Sequence, residues 1–213
     1  LNPAKEPEII DLQNYLVSCG ADITGAGGKE IRIKGGLPLH ESEYKPIPDR
    51  IEGGTILAAV AAAKGKVLLK EAIPEHLEAI LDRLSESGCN VRKDSGAIYL
   101  EAPERLLAVT PMETQPYPGF PTDMQSQFVA LMCCADGTTK ITESIFENRF
   151  KHVAELNKMG ADIIINGRTA TIKGVSRLRG CRVTAADLRG GASLVIAGLA
   201  AEGSTIVDNI SHI

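Results

Sequence analysis

The chain has 213 residues, of which 44% are apolar and 23% carry a charged side chain. This composition is typical of an ordered globular protein with one large domain or two small ones, and it excludes a disordered chain. A net charge of −4 gives no broad positive field for nucleic acid, so a metabolite is the favoured ligand. The longest apolar runs, 56–63 and 194–201, are far shorter than the roughly 18 to 20 residues of a membrane span.

The ends and the cysteines of the chain give two further expectations. The chain begins at Leu1 rather than methionine, and its first residues lack both the basic start and the apolar segment of a secretion signal, so we expect an excision point there. The five cysteines show no Cys-x-x-Cys spacing and no histidine pair at metal-ligand intervals, which predicts buried structural thiols in a reducing cytoplasm. These residues are Cys19, Cys89, Cys133, Cys134 and Cys181.

Residues 7–37 carry the back half of a structural repeat, a helix followed by a hairpin with strands at 22–24 and 30–33. The glycine-rich segment 25–28 joins these two strands. It lacks the following helix of a phosphate-binding loop, so we predict a simple turn.

Two fuller copies of the repeat follow, each about 70 residues long. Each has a polar lead, an apolar run, a glycine, a β-branched strand, an amphipathic helix, a second glycine and a hairpin. The glycine pairs Gly65/Gly88 and Gly137/Gly160 are both 23 residues apart, which supports the alignment of the copies. A third copy opens at 186–203 and stops after one strand, so the chain is expected to begin and end within a repeat. The copies place strands at 66–70, 90–92, 97–100, 138–142, 162–165 and 169–172, and amphipathic helices at 74–88 and 147–160.

The two helix types in the repeat differ in their apolar pattern. The amphipathic helices bury one face, whereas the helices at 56–63, 128–135 and 194–201 are apolar all round and are predicted to be buried on every side. The fold class is therefore α+β, with repeated βαβαββ units forming an inside-out α/β barrel around the apolar helices. Separate two-layer α/β sandwiches are the alternative arrangement.

Asp123 precedes the second apolar helix, where an aspartate often accepts hydrogen bonds from unpaired backbone N–H groups as an N-cap. The repeat register argues against this interpretation. Asp49 and Asp187 each precede their helix-ending glycine by 16 residues, whereas Asp123 precedes Gly137 by 14. Pro121 then occupies the cap position, and Asp123 is free for another role.

Arg50, Arg149 and Arg189 occupy comparable entrances to the three repeats, with Arg149 predicted on the first turn of its helix. Guanidinium groups suit phosphate and carboxylate ligands, so the three arginines are candidates for one anion-binding cleft. Ordinary ion pairing is the alternative, for example Arg50 with Glu52 and Arg189 with Asp187. His152 is predicted on the exposed side of its helix and is given no role.

Three motifs carry a resemblance to a known family. They are Phe-Pro-Thr-Asp-Met-Gln-Ser-Gln-Phe at 120–128, Glu-Ser-Ile-Phe-Glu-Asn-Arg-Phe at 143–150 and Thr-Ala-Ala-Asp-Leu-Arg-Gly-Gly-Ala-Ser at 184–193. The chain resembles the UDP-N-acetylglucosamine 1-carboxyvinyltransferases, enolpyruvyl transferases with an inside-out barrel fold. The resemblance implies transfer of enolpyruvyl from phosphoenolpyruvate to the 3′-hydroxyl of UDP-N-acetylglucosamine, the first committed step of peptidoglycan synthesis, with no metal or organic cofactor.

The resemblance also implies roles for individual residues. Asp123 matches the family aspartate that contacts the sugar hydroxyl and accepts its proton, and Ile145 matches a position that touches the nucleotide-sugar. From the residues alone, Ile145 is a strand residue. Arg50, Arg149 and Arg189 are the candidates for phosphoenolpyruvate. By the same resemblance, residues 1–47 form the tail of a first domain and residues 48–213 most of a second, with the crossing near 44–48.

Several family residues fall outside the chain. The proton-donating cysteine, the lysine and asparagine that hold substrate, and the basic segment for the diphosphate all lie before Leu1, and a further arginine lies beyond Ile213. We therefore expect the chain to be inactive without the missing N-terminal half. Two other interpretations stay open: an enolpyruvylshikimate-phosphate synthase, which the motifs at 120–123 and 146–149 disfavour, and a noncatalytic βαβαββ module.

Overall fold

The computed structural model describes residues 1–212 of the chain. Within this range the helices and hairpins follow the order that the repeat predicts. The helices are α1 Pro7–Ser18, α2 Arg50–Ala62, α3 Glu78–Glu86, α4 Gln125–Met132, α5 Val153–Lys158 and α6 Leu188–Ala200. The strands are β1 Asp22–Thr24, β2 Arg32–Lys34, β3 Lys66–Lys70, β4 Asn90–Asp94, β5 Ala97–Glu101, β6 Met112–Glu113, β7 Thr138–Thr142, β8 Asp162–Asn166, β9 Thr169–Lys173, β10 Leu178–Arg179, β11 Arg182–Thr184, β12 Ala201–Glu202 and β13 Ile206–Asp208.

The sheets follow the repeats. β3 and β4 both pair antiparallel with β5, and β7 and β8 both pair antiparallel with β9. The second sheet gains β6, which lies parallel to β7 and completes the βαβαββ order of that repeat. In the third repeat β10 pairs with β12 and β11 with β13, both parallel. The mixture of helices with largely antiparallel sheets confirms the α+β class and the three predicted hairpins.

The helices α2, α4 and α6 pack against one another, so the repeats share one core and the alternative of separate sandwiches is wrong. Every residue of α4 is buried. Phe128 on this helix is fully buried and meets Phe120 edge to face, with ring centroids 5.0 Å apart. Of the three helices, α4 is therefore the one that has neighbours on all sides.

The prediction that all three apolar helices are buried on every side is wrong for α2 and α6. Ile56 on α2 is 39% exposed, and Val195 and Leu199 on α6 are 45% and 53% exposed. An apolar helix loses water only where another element covers it. No part of residues 1–212 covers these flanks, whereas α4 is enclosed by α2, α6 and its own sheet.

The amphipathic helices bury the predicted faces but differ in length from the prediction. In α3, Ile80, Leu81 and Leu84 are buried. The second such helix begins at Val153 rather than at residue 147, because the Phe146 amide donates to the Glu143 side chain and the Arg149 side chain reaches Asp123 in another segment. The loop of residues 143–152 is therefore longer than predicted.

Residues 1–47 form α1, the β1–β2 hairpin and a connection without helix or strand. The turn between β1 and β2 is confirmed: Gly25 and Gly27 have φ of +92° and +80°, a region that favours glycine. Within this segment the Tyr44 hydroxyl donates to Asp11 Oδ1 at 2.7 Å, and the ion pair between Glu8 of α1 and Arg50 joins the segment to the rest.

Two further observations concern the described range as a whole. No helix within it is both long and apolar enough to cross a membrane. All five cysteines are free, with Cys19, Cys89 and Cys133 buried and Cys134 and Cys181 partly buried. The expectation of buried thiols is confirmed for the first three.

Two leucines on neighbouring helices test the burial pattern. Leu57→Ala on α2 should lower the free energy of unfolding by about 2–5 kcal/mol, because Leu57 is fully buried and its removal leaves a cavity. Leu199→Ala on α6 is the matched control, with an expected change of only about 0.5 kcal/mol. Urea denaturation measures both. Equal losses would contradict an uncovered flank on α6.

Candidate anion-binding and catalytic site

Asp123 lies in a 3₁₀ turn, Thr122–Met124, immediately before α4. Asp49 caps α2 by accepting from the backbone N–H groups of Ile51 and Glu52, and Asp187 caps α6 by accepting from Gly190 N. Asp123 makes no such bond, and Pro121 holds the cap position of the turn. The difference in repeat register is thus real, and the N-cap interpretation of Asp123 is wrong.

The Asp123 carboxylate is bound by two arginines. Arg149 Nη2 donates to Oδ1 at 2.5 Å, and Arg189 Nη2 donates to Oδ2 at 3.1 Å. Arg189 lies at the entrance of its repeat as predicted, on the first turn of α6, whereas Arg149 lies in the loop four residues before α5 begins. The predicted helical position of Arg149 is wrong, because this loop extends to reach Asp123.

The local ion pairs considered from the sequence do not form. Arg189 pairs with Asp123, while Asp187 serves as the cap of α6. Arg50 pairs with Glu8 instead of Glu52, through two hydrogen bonds of 2.9 and 3.2 Å. Each arginine thus pairs with a carboxylate from a distant segment of the chain.

Arg50 is buried at the start of α2, and its guanidinium lies 5.5 Å from the centroid of the Tyr117 ring. It lines a pocket of about 280 Å³ together with Glu8, Asp123 and Arg189. The structure therefore places Arg50 beside the Asp123 cluster, with its side chain already bonded to α1.

Asp123 and Arg189 also line an adjoining open pocket of about 550 Å³, to which Arg149 and Asp187 contribute. Both pockets lie at the N-terminal ends of α2, α4 and α6, while the C-terminal ends of the same helices meet at a separate pocket. Helix N-termini carry partial positive charge. Together with the arginines they make this end of the bundle suitable for an anionic ligand.

Ile145 is separated from this cluster. It lies in the loop after β7, which ends at Thr142, so its interpretation as a strand residue is wrong. Its side chain is partly exposed and does not line the open pocket. The next residue, Phe146, does line that pocket, and the guanidinium of Arg149 lies 4.7 Å from its ring centroid.

Burial by itself raises the pKa of Asp123, but the hydrogen bonds and charges of Arg189 and Arg149 outweigh it. The pKa of Asp123 is consequently below its ordinary value, and the carboxylate is ionised at neutral pH. The cluster of Asp123, Arg149 and Arg189 thus has a formal charge of +1, while Glu147 and Asp187 also line the open pocket.

The prediction that His152 is exposed is wrong, since the side chain is only 3% exposed. The reason is the late start of α5: His152 belongs to the preceding turn, which points it inward. Burial lowers the pKa of His152 to about 4, so the imidazole is neutral at pH 7.

Glu143 was not predicted from the sequence as a site residue. It is 1% exposed and accepts hydrogen bonds from Thr122, beside Asp123, and from Ile145, in the loop that leads to Arg149. A signal for its burial was present. In β7 the side chains of Thr139 and Ile141 point inward, and the same period of two places Glu143 inward as well.

The described side chains include no group of three or more His, Cys, Asp or Glu residues that could hold a metal ion. The groups that do converge are guanidinium groups, one carboxylate and helix N-termini. They suit recognition of phosphate or carboxylate and proton transfer at Asp123.

The repeated α/β fold and the arginine-bound carboxylate at the helix entrances together indicate a protein that binds an anionic ligand. The family model described as EPSP synthase (3-phosphoshikimate 1-carboxyvinyltransferase) matches residues 1–213, and the chain therefore belongs to this carboxyvinyltransferase family.

Curated relatives make the similarity more specific. The chain is 51% identical over 212 residues to UDP-N-acetylglucosamine 1-carboxyvinyltransferase 2 of Caldanaerobacter subterraneus subsp. tengcongensis. It is 52% identical over 213 residues to UDP-N-acetylglucosamine 1-carboxyvinyltransferase of Thermodesulfovibrio yellowstonii. In each case the match covers 100% of this chain and 51% of the relative, so the chain spans about half the length of these relatives. The resemblance inferred from the three motifs is confirmed.

Solved structures confirm the fold inferred from the resemblance. The enolpyruvyl transferase NikO from Streptomyces tendae matches with a TM-score of 0.86 and 26% identity, covering 100% of this chain and 51% of that one. EPSP synthase from Acinetobacter baumannii matches with a TM-score of 0.67 and 19% identity, over 93% of this chain and 49% of that one. The α+β enolpyruvyl transferase fold is therefore shown.

Arg189→Gln should raise the pKa of Asp123 towards its ordinary value, because the substitution removes a hydrogen bond and a positive charge that favour the ionised carboxylate. A pH titration of the Asp123 carboxyl ¹³C resonance measures this change. Arg182→Gln, which removes an exposed arginine paired with Asp208, is the matched control and should leave that resonance unchanged. A wild-type titration in Arg189→Gln would contradict the role of Arg189.

Proposed function

We propose that the chain is part of an enzyme that transfers enolpyruvyl from phosphoenolpyruvate to the 3′-hydroxyl of UDP-N-acetylglucosamine, releasing phosphate. The observation that carries this proposal is the Asp123 carboxylate bound by Arg149 and Arg189 at the mouth of an open pocket. Relatives about 51% identical over the whole chain, named for this activity, support the choice of substrate.

In this proposal Asp123 acts as the general base. Its lowered pKa keeps it ionised at neutral pH, ready to accept the hydroxyl proton as the sugar oxygen attacks C2 of phosphoenolpyruvate. The proton added at C3 comes from a donor that the family resemblance places before Leu1. Loss of phosphate, together with one proton from C3, then restores the double bond in the product.

The two arginines would bind the phosphate or carboxylate of phosphoenolpyruvate. An anion that takes over Arg149 or Arg189 competes with Asp123 for the same guanidinium. The loss of that contact, and the nearby negative charge, would raise the pKa of Asp123 and make it a stronger base. Binding of the anionic substrate would thereby increase the basicity of the carboxylate.

The remaining site residues have supporting roles in the proposal. Ile145 and Phe146 form the loop against which the nucleotide-sugar would pack, with Phe146 nearer to the open pocket. Arg50 lines the adjoining pocket while it is bonded to Glu8, so it would place residues 1–47 relative to Asp123 rather than move to a ligand.

We infer the same division of the chain as the resemblance implies. Residues 1–47 would be the tail of one domain and residues 48–213 most of another, with the segment near 44–48 as the crossing. The other half of the enzyme would supply the proton donor and the diphosphate contacts. The proposed reaction belongs to cell-wall synthesis in the cytoplasm, and it needs neither a metal nor an organic cofactor.

Ligand titration of the ¹⁵N-labelled chain distinguishes the proposal from its alternatives. UDP-N-acetylglucosamine should perturb amides of residues 122–124 and 145–149, because Asp123 and residues 146–149 line the pocket and the others are their chain neighbours. Shikimate 3-phosphate is the control ligand, because the family description and one solved neighbour name its synthase. A response to shikimate 3-phosphate alone would favour that enzyme, and no response to either ligand would favour a noncatalytic module.

Turnover tests the general base. In the enzyme completed with its N-terminal half, phosphate release should require both substrates, and Asp123→Ala should reduce kcat by at least about a hundredfold because the proton acceptor is lost. Asp162→Ala removes an exposed aspartate at the start of β8 and should leave kcat unchanged. Wild-type turnover in Asp123→Ala would exclude Asp123 as the base.

A further inference from the structure

Glu143 is a buried carboxylate outside the set of residues that contact either pocket. It follows β7 directly and is 1% exposed. Among the side chains that the structure describes, no lysine, arginine or histidine forms a salt bridge with it. A buried charge without a counterion is costly unless hydrogen bonds compensate for it.

Four donors provide that compensation. Glu143 Oε1 accepts from the Thr114 hydroxyl at 2.9 Å and from the backbone N–H groups of Ile145 and Phe146 at 2.9 and 3.0 Å. Oε2 accepts from the Thr122 hydroxyl at 2.9 Å. Both carboxylate oxygens are thus used, and the side chain has one well-determined orientation.

These bonds connect the two sides of the ion pair between Asp123 and Arg149. Thr122 immediately precedes Asp123 in the turn before α4, and the amides of Ile145 and Phe146 open the loop that leads to Arg149. The separation of the two charged groups therefore depends on one carboxylate placed between their backbone segments.

The backbone of Glu143 is itself held in place. Arg168 Nε donates to its carbonyl oxygen at 2.8 Å, and its N–H donates to Arg168 O at 2.8 Å. Ser144 N donates to Thr114 Oγ1 at 2.9 Å, and the Ser144 hydroxyl donates to Thr114 O. Glu143 is consequently a fixed point between β6, the β8–β9 turn and the site.

We propose that Glu143 is a positioning residue, which sets the geometry of Asp123 relative to Arg149 through Thr122 and the amides of Ile145 and Phe146. It acts through these groups and does not contact substrate. Its effect on turnover rests on the proposed function, whereas its effect on the ion pair does not.

Two substitutions separate geometry from charge. Glu143→Ala removes the charge and all four accepted hydrogen bonds. Glu143→Gln removes the same charge, but its amide oxygen still accepts from the two backbone N–H groups, and the Thr122 hydroxyl can turn to accept from its NH₂ group. A difference between the two variants therefore reports the hydrogen-bonded side chain and not its charge.

The first measurement uses this chain by itself. The Asp123 pKa, followed by its carboxyl ¹³C resonance, should be higher in Glu143→Ala than in Glu143→Gln, because only the alanine variant releases the Arg149 loop from Asp123. Glu113→Ala, which removes an exposed carboxylate on β6, should match the wild type. Equal Asp123 titrations in the alanine and glutamine variants would overturn the proposal.

The second measurement is turnover in the completed enzyme. Glu143→Ala should lower kcat roughly tenfold to a hundredfold, since a small misplacement of reacting groups has effects of this size, and Glu143→Gln should restore most of the loss. Thr122→Val removes only the hydrogen bond between Glu143 and the Asp123 turn and should also lower kcat. This variant tests the proposal if Glu143→Ala does not fold. Wild-type kcat in a folded Glu143→Ala or in Thr122→Val would overturn the proposal.

The two hypotheses fail in different ways. If Asp123→Ala keeps wild-type turnover, the general-base role fails, and the Asp123 titrations still decide the role of Glu143. If Asp123→Ala loses turnover while folded Glu143→Ala keeps it, the positioning role fails and the proposed function stands.

Discussion

The ion pairs between Asp123 and two arginines hold the candidate site together, because they join three segments that are distant in the sequence. Arg149 is 26 residues from Asp123 and Arg189 is 66 residues away. The carboxylate belongs to the turn before α4, and the arginines belong to the loop after β7 and to α6. A change in the packing of any of these elements would move a charged group at the pocket.

The helix bundle makes this meeting possible. Since α2, α4 and α6 pack together with their N-terminal ends at the same place, equivalent positions of the repeats come close to one another. The repeats then differ in chemistry. Asp49 and Asp187 satisfy helix N-termini, whereas the shifted position of Asp123 leaves its carboxylate for Arg149 and Arg189. A symmetric scaffold thus carries one asymmetric site.

The repeat allowed much of the fold to be predicted, including the hairpins and the shared core, because hydrophobic periodicity and glycine spacing are local features of the chain. The prediction from the repeat is wrong where tertiary contacts compete with local preference. The segment before Val153 favours helix by pattern, yet Arg149 bonds to Asp123 and the Phe146 amide bonds to the Glu143 side chain. As a result α5 begins later than predicted and His152 is turned inward. Glu143 was missed because its four donors come from three separate parts of the chain.

By itself, the sequence determined the family resemblance, the α+β repeat and the departure of Asp123 from the cap register, all of which depend on residue order alone. Only the tertiary structure decided which carboxylate each arginine binds, which flanks of α2 and α6 meet water, and how deeply Glu143 and His152 are buried. The physical reason is that ion pairing and burial depend on distances between segments, and those distances exist only after the helices have packed.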